Sequence, residues 1–77
     1  MIKVIVCPFV SQAEVVANEL EKFGCELISV AHGIGNVYLW IRRPIMPDEV
    51  SWARETFIEI NRRLAYNGER QLGSITL

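Results

Sequence analysis

The densest grouping of chemically capable side chains is Tyr38-Leu39-Trp40-Ile41-Arg42-Arg43. Aromatic and cationic residues alternate there with aliphatic ones. In a strand, Tyr38, Trp40 and Arg42 would share one face, while Val37, Leu39 and Ile41 would share the other. Such a face suits three kinds of work. Tryptophan and tyrosine beside arginine are common anchors of a protein interface. The same side chains can wall a ligand pocket, and aromatics on a sheet can stack RNA bases. His32, the only histidine, ends the preceding apolar run. Cys7 stands before Pro8 and a helix start, a setting that can lower a thiol pKa. If Cys7 and His32 end two parallel strands with a third between them, they lie ~10 Å apart. That separation is too long for a nucleophile–base hydrogen bond within one chain. Cys7 therefore reads as a small buried hydrophobe and His32 as a turn or surface residue. Gly33-Ile34-Gly35 is followed by no helix whose N-terminus could hold a phosphate, and reads as a hairpin turn. Cys7 and Cys25 are too few for a metal framework or a disulfide scaffold. No catalytic residue, metal ligand or cofactor is assigned, and an enzyme is the less favoured reading.

Those residues need elements to position them. Residues 2–7 are β-branched and apolar except for Lys3, which predicts a strand covered on both faces and central in its sheet. Ser11-Gln12-Ala13-Glu14 has the spacing of a capping box, with Val10 and Val15 flanking it as a hydrophobic staple. The helix that follows places Val16, Leu20 and Phe23 on one stripe and turns Asn18, Glu19, Glu21 and Lys22 away. Gly24 is placed to stop it. Residues 25–32 and 36–43 predict two strands joined by a hairpin at Gly33-Ile34-Gly35-Asn36. Pro47-Asp48-Glu49 opens a second helix, with Val50, Ala53, Phe57, Ile60 and Leu64 as its apolar stripe. Glu59 and Arg63 suit an i,i+4 pair, and Trp52 and Tyr66 fall beside the stripe. Asn67-Gly68 ends the helix, and residues 74–77 predict a last short strand. The order β-α-β-β-α-β predicts a ferredoxin-like α+β fold: a four-stranded antiparallel sheet with both helices on one face.

Asn18-Glu19-Leu20, Gly24-Cys25-Glu26-Leu27-Ile28-Ser29-Val30 and Val37-Tyr38-Leu39-Trp40-Ile41-Arg42-Arg43-Pro44 carry a resemblance. Over residues 18–44 the chain is similar to a short, uncharacterised bacterial domain family. That family has a helix ending in Gly-Trp-Glu-Leu-Val-Ser-Val, a hairpin, and an aromatic-rich strand closing on Lys/Arg-Pro. Cys25 departs from the pattern, standing where the family has tryptophan. The likeness implies local structure and no activity, because the family has none assigned.

Composition narrows the partners. The chain has 77 residues, a formal charge of −1 and 51% hydrophobic residues. One small domain spanning residues 1–77 is expected, too small to hide so much apolar surface alone. A general nucleic-acid binder shows a basic excess that is missing here. No apolar run reaches the roughly 18 residues of a membrane span, and the first residues resemble a strand more than a signal peptide. A cytoplasmic location is expected. The outward sheet face is predicted to combine Tyr38, Trp40 and Arg42 with Lys3, Ile5 and Cys7 of the first strand and Leu27, Ser29 and Ala31 of the second. The functional expectation is a small homo-oligomeric interaction module, a homodimer or higher, using Ile5, Leu27, Tyr38, Trp40, Arg42 and His32. Two alternatives stand beside it. One is a ligand-binding protein or enzyme of the dimeric α+β barrel type, with a small-molecule pocket at the sheet face. The other is an RNA-binding module stacking bases on Tyr38 and Trp40.

Overall fold

The structure, a computed structural model, describes residues 1–77. Its elements are β1 (Ile2–Cys7), α1 (Val10–Lys22), β2 (Glu26–His32), β3 (Val37–Arg42) and α2 (Glu49–Tyr66). The fold is α+β, but the expected four-stranded, ferredoxin-like βαββαβ sheet is not formed. The sheet has three antiparallel strands in the order β1-β3-β2, and the chain after α2 adds no strand. β1, expected at the centre, is therefore an edge, and β3 is the central strand.

Side chains hold the last segment in place of a ladder. Asn61 on α2 clasps Leu72 from both sides: its Oδ1 accepts from the Leu72 N–H at 2.8 Å, and its Nδ2 donates to the Leu72 carbonyl at 2.9 Å. At the far end the Arg43 guanidinium donates to the main-chain oxygen of Leu77. Leu72 is buried, and Ile75 and Leu77 pack partly against the core. Between these anchors, Ser74–Thr76 face Val4–Val6 of β1 across a cavity of about 210 Å³.

The loop termini follow local chemistry. Gly24 takes φ +94° just after α1, a conformation that costs glycine little, and Gly68 takes +74° just after α2. Asp48 caps α2, its Oδ1 accepting from the Ser51 N–H at 2.9 Å. The start of α1 corrects the expected Ser11 capping box. The helix begins at Val10 with Phe9 as its N-cap residue, and Gln12, at the third helical position, accepts from the Phe9 N–H through Oε1 at 3.1 Å. The Ser11 hydroxyl instead donates to Glu69 at 2.7 Å on the surface.

The core gathers Ile5 and Cys7 of β1, Val37, Leu39 and Ile41 of β3, Val16 and Leu20 of α1, and Trp52, Ile60 and Leu64 of α2. The buried stripe of α2 is Trp52, Thr56, Ile60 and Leu64, rotated from the expected one, and Val50 is exposed. Trp52 takes this place because its Nε1 donates to the Phe23 carbonyl at the end of α1, 3.0 Å away. Thr56 satisfies its buried hydroxyl on the Trp52 carbonyl, one turn back. Glu19 was expected to face solvent and is buried. Lys22 Nζ donates to its Oε1 at 3.2 Å. Arg63 Nε lies 3.3 Å from the same oxygen without hydrogen-bond alignment. With Arg63 drawn to α1, Glu59 pairs with Arg62 in place of the expected Arg63.

These caps predict unequal costs at neighbouring positions. Ser11→Ala, losing one exposed hydrogen bond, should change stability by no more than about 0.5 kcal/mol. Gln12→Ala removes the bond to the Phe9 N–H and also the Nε2 bond to the Arg70 carbonyl at 2.6 Å, and should cost about 1–3 kcal/mol. Urea denaturation midpoints of the two variants check the order.

Candidate functional site

Strand pairing fixes which side chains share the face of the sheet away from the helices. Directly paired residues lie on the same side of an antiparallel sheet. β1 pairs with β3 as Ile2 with Arg42, Val4 with Trp40, and Val6 with Tyr38. β2 pairs with β3 as Glu26 with Arg42, Ser29 with Trp40, and Ala31 with Tyr38. Tyr38, Trp40 and Arg42 thus stand together on the bare face, as the alternation predicts, since Val37, Leu39 and Ile41 are buried.

Their neighbours differ from the expected set. Ile5 and Cys7 point into the core, paired with Leu39 and Val37, and Lys3 lies on that side opposite Ile41. The bare face of β1 carries Ile2, Val4 and Val6 instead, 51%, 38% and 45% exposed, beside Trp40 at 43%. Leu27 also faces inward, opposite Ile41. A bulge between Leu27 and Ser29 inserts one residue and resets the alternation, so Leu27 and Ser29 occupy opposite faces.

His32 is separated from the aromatic pair as well. It pairs with Val37 and so lies on the helix side of the sheet. There it edges a shallow groove of about 210 Å³ with Val30, Val37 and Leu39 below and Val10, Ala13, Glu14 and Ala17 of α1 alongside. His32, Tyr38 and Arg42 therefore do not converge on one pocket. Tyr38 itself folds over the hairpin: a Cβ on Gly33 would come within 2.8 Å of the ring Cε2. The turn there is closed by the Gly33 N–H donating to the Asn36 carbonyl at 2.9 Å.

The electrostatics of the face are nearly neutral. Arg42 Nη1 donates to Glu26 Oε1 at 2.8 Å, so its one arginine is matched by a carboxylate on the neighbouring strand. Arg43 belongs to a different environment. Its largely buried guanidinium holds Leu77 and reaches Glu49 Oε2 at 3.4 Å.

Both cysteines are free and buried. Burial pushes the Cys7 thiol up from 9.0 to about 11. Burial also raises Cys25, partly opposed by the Arg43 charge. Neither thiol has the electropositive, accessible setting of a nucleophile. No group of three or more acidic, histidine or cysteine side chains is placed to hold a metal ion. No helix is long and apolar enough to cross a membrane.

Comparison of the chain with protein-family models, with curated proteins and with solved structures finds no match.

The inward placement of Cys7 predicts a pH effect whose sign is fixed. A thiol that keeps its proton longer in the fold stabilises the fold below its unfolded pKa near 9.0. That contribution is lost as pH rises toward about 11. Stability should therefore fall across this interval, and Cys7→Ala should flatten the fall. Thermal unfolding of both proteins across that pH range makes the comparison.

Proposed function

We propose that the protein is a small self-associating interaction module that buries the bare face of its sheet against a second copy. The observation carrying this reading is the row Ile2, Val4 and Val6 beside Trp40. It puts branched aliphatic and indole surface where a solvated antiparallel sheet carries polar residues. A contiguous apolar surface of this kind marks an interaction site.

A second copy suits the face because its one arginine is already paired with Glu26, so two such faces meet without an unpaired charge between them. The same ion pair weighs against base stacking on Tyr38 and Trp40, because no free cation on this face is left to meet a phosphate. The separation of His32 from Tyr38 and Arg42 weighs against a small-molecule pocket at the sheet.

Light scattering at tens of micromolar should report a homodimer or higher oligomer. Trp40→Glu, which alters an exposed side chain, should shift it toward monomer without loss of helical circular dichroism. Trp40→Phe should keep the association. A monomeric wild type overturns the reading.

A further inference from the structure

The parity of the ladder decides where each backbone group of β1 points. In an antiparallel pair, alternate residues turn both N–H and C=O toward the neighbour, and those between turn both away. The Arg43 N–H donates to the Met1 carbonyl at 3.1 Å. Given the register, this places Lys3, Ile5 and Cys7 in the hydrogen-bonded pairs with β3. Ile2, Val4 and Val6 then direct N–H and C=O to the outer edge. The backbone bonds outside helices and strands include none from residues 73–77 to β1.

The two edges of the sheet are not alike. β2 is interrupted by its bulge and carries Glu26, features that discourage another strand from pairing. β1 is regular over its whole length, and Ile2, Val4 and Val6 are β-branched, with no charge or proline among them. A regular, β-branched, unpaired edge is a template for a further strand.

We infer that β1 is a strand-pairing site for β1 of a second copy, in antiparallel register centred on Val4. The pattern is self-complementary. With Val4 opposite the partner's Val4, Ile2 falls opposite the partner's Val6, and every outward N–H and C=O of these residues meets its counterpart. A two-fold axis through this pair closes the contact, and the bulged β2 edges stop it from propagating. On the bare face the same register sets Ile2 and Val6 side by side, a favourable branched pair. The contact requires the chain beyond Leu72 to lift from beside β1. Gly73, whose backbone carries no side chain to restrict it, lies between the Asn61 clasp and the segment that moves. The Asn61 clasp on Leu72 stays in place, while the Arg43 bond to Leu77 and the partial packing of Ile75 and Leu77 on the core are given up.

This contact is separate from burial of the Trp40 face, and residue-resolved amide exchange of the full chain distinguishes them. Edge pairing predicts that the Ile2, Val4 and Val6 amides exchange about tenfold more slowly or better as the protein is concentrated from the micromolar to the millimolar range. Trp40→Glu should leave that effect in place. Val4→Pro, which removes an edge donor and no hydrogen bond to β3, should abolish it and keep protection at Leu39 and Ile41. Fast exchange at every concentration overturns the inference, and if light scattering then reports a dimer the sheet-face reading stands alone. Protection that is equal at every concentration also overturns it, because the partner would lie within the same chain.

Discussion

β3 is bonded along both edges, and position within it settles two matters at once. Val37, Leu39 and Ile41 bury their side chains under the helices and hydrogen-bond to β1. Tyr38, Trp40 and Arg42 turn to the bare face and hydrogen-bond to β2. A one-residue slip would move every one of these side chains to the other face and strand Arg42 in the core. The core therefore locks the register, and the register decides which residues of β1 and β2 can join the aromatic pair. The chemistry of the bare face is inherited from the packing of the hidden one.

Much of this was legible in the residues, and the failures have physical causes. The strict alternation of Val37 through Arg42 made the orientation of Tyr38 and Trp40 readable without any partner. β1 lacked such a period: Ile2 and Val4 through Cys7 are all apolar, so either phase was compatible with its sequence, and Lys3 pointed to the wrong one. Its phase is set by pairing with β3, which is tertiary information. Leu27 was misplaced because a bulge leaves no mark in so uniform a strand. The start of α1 was misplaced because Ser11 offers a capping oxygen, whereas the helix opens from Phe9, whose N–H is met by Gln12, and the Ser11 hydroxyl turns to Glu69.

The missing fourth strand has a related explanation. Ser74-Ile75-Thr76-Leu77 has strand composition, but propensity is a weak guide beside anchoring contacts. Asn61 and Arg43 take hold of the segment near its two ends, and neither residue lies in the segment or announces the contact from its position. Side-chain bonds hold this segment and no backbone bond joins it to β1, which leaves an edge on β1 whose polar groups point outward.

The buried Glu19 shows how so thin a core still selects one arrangement. Only 16 of 77 residues are buried, and Glu19, Gln12 and Thr56 are among them. A carboxylate in such a place is tolerable only while Lys22 and Arg63 stay near it. Replacing the whole cluster with apolar residues could hold the helices as firmly, whereas removing both cations would leave a buried carboxylate unmatched. The pairing of α1 with α2 thus joins this requirement and the Trp52 indole reaching the Phe23 carbonyl to the burial of Leu20, Ile60 and Leu64. An α2 turned by even one residue would satisfy neither. The helix layer consequently sits in one place, with α1 against all three strands and α2 against α1, and the opposite face of the sheet is left bare.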